Sequence, residues 1–142
     1  MLILDTNILA ALMLMRPDPK VVEWLNEAPA QSLWITTVTV FEVRFGIAAL
    51  PAGRKRERLS DAFGELVTAD LGGRVLEFDV AAAEHAAVLA GERRAQGQTV
   101  EIRDTIMAGI ALARKAAIVT RNTKDFQHPS LRLINPWQGV AG

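Results

Sequence analysis

The chain of 142 residues contains no cysteine and no tyrosine, and its 16 basic residues are balanced by 16 acidic ones. The absence of cysteine excludes disulfides and thiolate metal sites, and it gives no reason to expect export. Its apolar stretches are all interrupted well before the roughly 20 residues that a membrane span requires. The first residues also lack the basic segment of a signal peptide. We therefore expect a cytoplasmic protein without membrane contact.

The zero net charge bears on possible nucleic-acid partners. A protein that holds nucleic acid by overall attraction usually has a clear basic excess, which is absent here. Either nucleic acid is not the partner, or positive and negative charge are sorted into separate regions. The tightest basic run contains Arg54, Lys55, Arg56 and Arg58. A short charge run is usually a solvated helix end, but this one could also face RNA or an acidic partner, as could Arg121 and Lys124.

Short apolar strands alternate with helices along the chain. This alternation is typical of βαβ units and predicts an α/β fold with a parallel sheet that helices cover on both faces. The length favours a single domain over residues 1–142. The predicted strands are 2–4, 33–36, 75–78, 117–120 and 131–134, and the predicted helices are 8–15, 21–28, 39–50, 54–71, 80–96 and 99–115.

Polar residues follow three of these strands, where the ligand sites of open parallel sheets lie. Each of these polar groups also has a purely structural explanation, which the spacing alone does not exclude. The first group could cap a helix, the Thr39-x-x-Glu42 spacing fits a capping box, and the last group could form a solvated turn. The residues are Asp5, Thr6 and Asn7 after the first strand, Glu42 after the second, and Thr120, Asn122 and Asp125 at the end of the fourth.

Asp104 is the acid that structural explanations account for least well. Its helix is apolar nearly all round, which indicates burial, and a buried Asp is rare unless it is paired or ligates a metal. An ion pair with a basic residue such as Arg121 is the structural alternative. We favour a metal site, because Asp104 is then one of several carboxylates at one edge of the sheet.

Carboxylates that converge at one edge repel one another unless a cation neutralises them. Hard oxygen ligands without histidine or cysteine select Mg²⁺ or Mn²⁺. Ions of this kind activate water and bind substrate phosphates, which is the arrangement for hydrolysis of phosphodiester bonds.

Four blocks of residues together resemble the PIN domain of VapC-type toxins over essentially the whole chain. Two further segments, Val21-Val22-x-Trp24-Leu25 and Asn135-Pro136-Trp137, resemble the FitB-like branch. The four blocks are Leu4-Asp5-Thr6-Asn7, Thr37-x-x-x-x-Glu42, Asp104 in an Ile/Ala-rich helix, and Thr120-Arg121-Asn122-x-x-Asp125-Phe126.

The resemblance implies a three-layer α/β/α sandwich and an endoribonuclease that uses Mg²⁺, or Mn²⁺ as a substitute. It also implies a type II toxin that forms a homodimer. The expected partner is a cognate antitoxin, with which the dimer could form a higher toxin–antitoxin assembly. Asp5, Glu42 and Asp104 fall on the metal ligands of the family, and Thr6, Asn7 and Thr120 would orient them. Asn122 stands at the fourth acidic position of the family. This puts a second bound metal ion in question, unless Asp125 supplies the missing carboxylate.

Two other functions compete with this one. A catalytically silent PIN-like module that acts only through its antitoxin is compatible with Asn122. A phosphotransfer domain with Asp5 as the nucleophile fits poorly, because Asn7 stands where the haloacid-dehalogenase pattern has a second Asp. The chain has neither GxGxxG nor a Walker A loop, so a nucleotide cofactor is not expected.

Overall fold

The structure, a computed structural model, describes residues 1–138 and contains one five-stranded sheet. The strands lie in the order β3-β2-β1-β4-β5, and every neighbouring pair is parallel. The first strand along the chain is therefore central, and its carboxyl end lies between those of β2 and β4. The strands are β1 (Leu2–Leu4), β2 (Leu33–Thr36), β3 (Val75–Leu76), β4 (Ala117–Val119) and β5 (Leu133–Ile134).

Six α-helices connect the strands. Short turns of 3₁₀ or π type lie at Ala30–Ser32, Leu66–Asp70, Thr123–Phe126 and Pro136–Gln138. Among residues 1–138, no helix is both long and apolar enough to cross a membrane. The helices are α1 (Thr6–Leu12), α2 (Pro19–Glu27), α3 (Thr37–Ala48), α4 (Arg54–Glu65), α5 (Val80–Ala95) and α6 (Ile102–Arg114).

Two hydrophobic cores lie on opposite faces of the sheet. Successive strand residues point to opposite faces, so Ile3 and Ile118 enter one core while Leu4 and Val119 enter the other. Helices α1 to α4 contribute to the core around Leu4, and α5 and α6 contribute to the core around Ile3. The predicted three-layer α/β/α sandwich with a parallel sheet is therefore confirmed.

Helix α6 packs closely against α5 through Gly109. A Cβ atom at this position would lie 2.5 Å from the carbonyl oxygen of Ala82 and 2.7 Å from the Cβ of Ala86. Only glycine permits this approach without a shift of backbone. The contact fixes the position of α6, whose first turn carries Asp104.

Several predicted boundaries were wrong by a few residues. Helix α1 begins at Thr6 rather than residue 8, because Asp5 caps it by accepting a hydrogen bond from the Thr6 N–H. The predicted helix 54–71 changes to a π turn after Glu65, and the helix predicted from residue 99 starts at Ile102 with Glu101 as its cap. Strand β3 is two residues shorter than predicted.

The capping box suggested by Thr39 and Glu42 is not formed. Helix α3 begins two residues earlier, and the Thr36 hydroxyl caps it by accepting a hydrogen bond of 3.2 Å from the Thr39 N–H. Glu42 consequently lies beyond the first turn. Its carboxylate is free for contacts with other parts of the chain.

Candidate metal centre

The carboxyl edge of the sheet gathers acidic side chains from four separate segments. Asp5 follows β1, Glu42 lies on α3, Asp104 lies in the first turn of α6, and Asp125 lies in the turn after β4. Burial is the main cause that raises the pKa of Asp5 and of Asp104; the charges of Glu42 and Asp125 add to both shifts, and that of Asp5 adds to the shift of Asp104. Asp5 and Asp104 therefore lie within electrostatic reach of each other and of the other two carboxylates.

Asp5 is held by hydrogen bonds on both carboxylate oxygens and is only 9% exposed. Its Oδ1 accepts from the Thr6 N–H at 2.7 Å. Its Oδ2 accepts from the Thr120 hydroxyl at 2.7 Å and from the Asn7 Nδ2 at 3.3 Å. These bonds fix the direction of the carboxylate and join the end of β1 to the end of β4.

Asn7 and Thr120 also contact one another and the segment after β4. The Asn7 Nδ2 donates to the Thr120 Oγ1 at 3.2 Å, and the same oxygen accepts from the Asn122 N–H at 3.1 Å. The Asn7 Oδ1 accepts from the Arg121 N–H at 3.2 Å. Asp5 and Asn7 thus do more than cap α1, because their side chains also bond to the segment after β4. Their role in metal binding stays a prediction.

Glu42 contacts two neighbours. Its Oε1 accepts a hydrogen bond of 3.3 Å from the Thr6 hydroxyl, and its Oε2 forms an ion pair of 3.3 Å with the Arg103 Nη1. Arg103 was not among the residues that the sequence suggested for this site. Its position next to Asp104 in the sequence is the signal that could have identified it.

Asp104 lies half-buried at the site, less deeply than its apolar helix indicated, because it stands in the first turn. Burial is the largest cause that raises its pKa to about 6, and the charges of Asp5, Asp125, Glu101 and Glu42 add to it. In the described part of the chain no ion pair joins Asp104 to a basic side chain. The alternative partner, Arg121, instead stacks over the Trp137 ring at 4.4 Å.

Burial also raises the pKa of Asp5. The hydrogen bonds from Thr120 and Thr6 favour the charged form and oppose this effect, while the charges of Glu42 and Asp125 add to it. Both carboxylates, Asp5 buried and Asp104 half-buried, are thus destabilised in their charged form by burial and by like charge. A cation bound between them would remove that cost.

Within residues 1–138, no three of these side chains form a group already arranged to hold a metal ion. Mutual repulsion and the pairing of Glu42 with Arg103 both favour this open arrangement. The donor set nevertheless fits a hard divalent cation, because all donors are oxygens and, in the described residues, Arg103 is the one basic side chain in an ion pair with any of them.

Asn122 and Asp125 are exposed at the rim of the site. The side chain of Asp125 is close enough to raise the pKa of Asp5 and Asp104. The 3₁₀ turn that follows Asn122 brings it there. Whether Asp125 replaces the acid missing at position 122 stays a prediction.

A largely apolar groove of about 820 Å³ adjoins the site. It runs between α1, α3 and α4 from Thr6 and Glu42 to the basic start of α4. Arg54 and Lys55 are exposed at its rim, but the Arg58 guanidinium donates to the Met13 carbonyl at 3.3 Å. Arg58 is exposed as well, and its bond to Met13 ties α4 to the end of α1.

Comparison with known proteins places this chain in a family. The sequence pattern of the PIN domain matches residues 2–130. VapC ribonuclease Y4jK of Sinorhizobium fredii is 35% identical over 97% of this chain and 99% of its own length. Toxin FitB of Neisseria gonorrhoeae is 28% identical over 96% and 99%. The structure of FitAB bound to a DNA fragment superposes with a TM-score of 0.87 at 28% identity, covering 96% of both chains.

The resemblance drawn from four short blocks of sequence is confirmed by these matches, which extend over nearly the whole chain. The carboxylates at the sheet edge and the groove beside them therefore belong to a member of the PIN-domain family, of the VapC and FitB type.

Proposed function

We propose that the protein is a metal-dependent endoribonuclease and the toxin of a type II toxin–antitoxin pair, active in the cytoplasm. The observation that carries the proposal is the pair of carboxylates, Asp5 and Asp104, whose charged forms are destabilised by burial and by the charge of Glu42 at the same edge of the sheet. The ribonuclease name of a relative 35% identical to this chain supports RNA as the substrate.

Asp5, Glu42 and Asp104 would hold Mg²⁺ or Mn²⁺. A bound ion of this type lowers the pKa of a water molecule and offsets charge on the phosphate that is attacked. Asn7 and Thr120 keep the Asp5 carboxylate directed into the site through their bonds to its Oδ2. Asp125 can supply a fourth carboxylate at the exposed rim, where the family pattern has an acid and this chain has Asn122.

Removal of divalent metal is expected to stop cleavage of a single-stranded RNA, and added Mg²⁺ or Mn²⁺ is expected to restore it. The reason is that the carboxylates alone offer no positive charge to the phosphate. Gel analysis of a labelled RNA with EDTA, and then with excess metal, measures this. Asp104→Asn protein purified in parallel reports contaminating nuclease. Cleavage that continues undiminished in EDTA would contradict the proposal.

The groove beside the site is proposed to receive a segment of the antitoxin. Leu14 and Met15 line it and are 56% and 83% exposed, which is unusual for large apolar side chains. Arg54 and Lys55 at its rim fit an acidic or polar flank of the same segment. The similarity to FitAB, which is a complex, supports this partner.

Met15→Glu is expected to weaken antitoxin binding by at least about tenfold, because a charge would replace a buried apolar contact. RNA cleavage should change little, since Met15 lies outside the carboxylate cluster. Surface plasmon resonance with the cognate antitoxin measures the affinity. Val88→Glu, at a position on α5 that is 63% exposed and lies outside the groove, is the control. Equal antitoxin affinity in Met15→Glu, Val88→Glu and wild type would contradict the groove as the antitoxin-binding site.

A homodimer is also proposed. Phe41 and Phe45 stack at 5.9 Å on α3, and both rings are exposed. Exposed aromatic pairs of this kind are typical of surfaces that associate with another protein. These rings therefore support a second copy of the chain as a partner.

A further inference from the structure

Arg103 is a cation placed inside the cluster of acids. Its Nη1 lies 3.3 Å from the Glu42 Oε2, and its side chain is 63% exposed whereas that of Glu42 is 21% exposed. Of the ion pairs in the described residues, this one alone involves a proposed metal ligand. It therefore links the charge balance of the site to a side chain that can move outward.

The position of Arg103 is unfavourable for the helix itself. It is the second residue of α6, where the helix macrodipole favours acidic rather than basic side chains. Its backbone N–H donates to the Glu101 carboxylate at 3.4 Å, and the guanidinium, which only donates hydrogen bonds, cannot cap the helix start. The surrounding carboxylates compensate for the cost. The site, rather than helix stability, thus explains an arginine at this position.

Metal and Arg103 compete for the same carboxylate. When Glu42 ligates a cation, its oxygens carry less negative potential, and the guanidinium nearby is repelled by the cation. The exposed Arg103 side chain is then available to bind another anion. The planar fork of arginine matches the oxygens of a phosphate group, and a phosphodiester bound at the metal would lie beside it.

We propose that Arg103 exchanges partners during the reaction cycle. It neutralises Glu42 in the metal-free protein and contacts a phosphate of the RNA once Glu42 holds the metal. This inference rests on the proposed function and adds a substrate-binding residue to it. Arg103 thereby supplies positive charge to a site whose other members are acidic or neutral.

The first arm of the test measures metal binding without substrate. Arg103→Met removes the competing charge but keeps the length of the side chain, and it is expected to bind Mn²⁺ about threefold more tightly than wild type by calorimetry. Arg114→Met is the matched control, because Arg114 lies at the other end of α6 in an ion pair of 3.2 Å with Asp79. It should bind Mn²⁺ as wild type does.

The second arm measures RNA cleavage at saturating Mn²⁺. Arg103→Met is expected to raise KM about tenfold and to leave kcat within about twofold, because a charge-assisted contact to the phosphate is lost. The slope of log(kcat/KM) against log salt should become about 0.7 less negative, as expected for one phosphate contact to a single strand. Arg103→Lys, which keeps the charge, should recover most of the affinity.

The two arms separate this inference from the proposed function. Unchanged Mn²⁺ affinity in Arg103→Met would contradict the competition, and an unchanged KM would contradict the phosphate contact. A variant indistinguishable from Arg114→Met in both arms would overturn the inference entirely. If wild type neither binds Mn²⁺ nor cleaves RNA, the proposed function itself has failed.

Discussion

Asp104→Asn is expected to reduce metal-dependent RNA cleavage on the order of 10³-fold or more, because a bound metal contributes several kcal/mol to hydrolysis. Growth arrest on expression should be lost with it. Asparagine has nearly the same shape, so the packing of α6 against α5 through Gly109 is preserved. The loss should therefore appear in kcat/KM rather than in the amount of folded protein.

The same substitution is expected to stabilise the metal-free protein at pH 7.5. The pKa of Asp104 is raised from 3.8 to about 6, so the charged form that exists at pH 7.5 is unfavourable in the folded state. Removing the charge is worth about 1 kcal/mol once solvent screening of this half-buried carboxyl is allowed for. For a chain of this size that corresponds to roughly 2–4 °C in Tm.

Thermal unfolding in EDTA and cleavage kinetics in Mn²⁺ measure the two effects on the same samples. Asp61→Asn is the control, since Asp61 is exposed on α4 and lies outside the carboxylate cluster. It should alter neither quantity by a comparable amount. Full cleavage activity in Asp104→Asn would remove Asp104 from the site, whatever its stability.

Mn²⁺ affinity is expected to fall about tenfold for each pH unit below 6, because protons and metal compete for the same carboxylate. The pKa of Asp104 is raised to about 6, chiefly by burial, and that of Asp5 is raised as well, again chiefly by burial. Calorimetric titration of Mn²⁺ between pH 5 and 7 measures it.

Stability of the metal-free protein should follow the opposite course. Between about pH 4 and 6 the folded protein keeps a proton on Asp104 that the unfolded chain has released. The contribution of Asp104 to stability is therefore greatest below this range and falls as the pH rises through it. Circular dichroism at pH 5 confirms folding for the titration. Mn²⁺ affinity that does not change from pH 5 to 7 would show that these carboxylates do not bind the metal.

Much of the fold could be predicted from the sequence because its signals are local. The apolar run before Asp5 and the run from residue 117 each end in polar residues that stop a strand. Parallel pairing then brings those ends to one edge of the sheet. The hydrogen bond from Thr120 to Asp5 joins residues 115 positions apart, yet it follows from this simple geometry.

The remaining features depend on contacts that local spacing does not show. Thr36 and Thr39 are both plausible caps, and the end of β2 selects Thr36, which releases Glu42 from the expected capping box. The pairing of Glu42 with Arg103 joins residues 61 positions apart and depends on how α3 and α6 meet. A long exposed side chain has many possible partners, so the sequence alone does not single out this one.

The central claim is that the carboxylates at the sheet edge bind a divalent metal. Calorimetric titration of Mn²⁺ into wild type and into Asp104→Asn at pH 7.5 tests it most directly. We predict a single binding event in wild type that is at least about tenfold weaker in the variant. No binding in wild type, or equal binding in both proteins, would contradict the claim and favour a silent PIN-like module that acts only through its antitoxin.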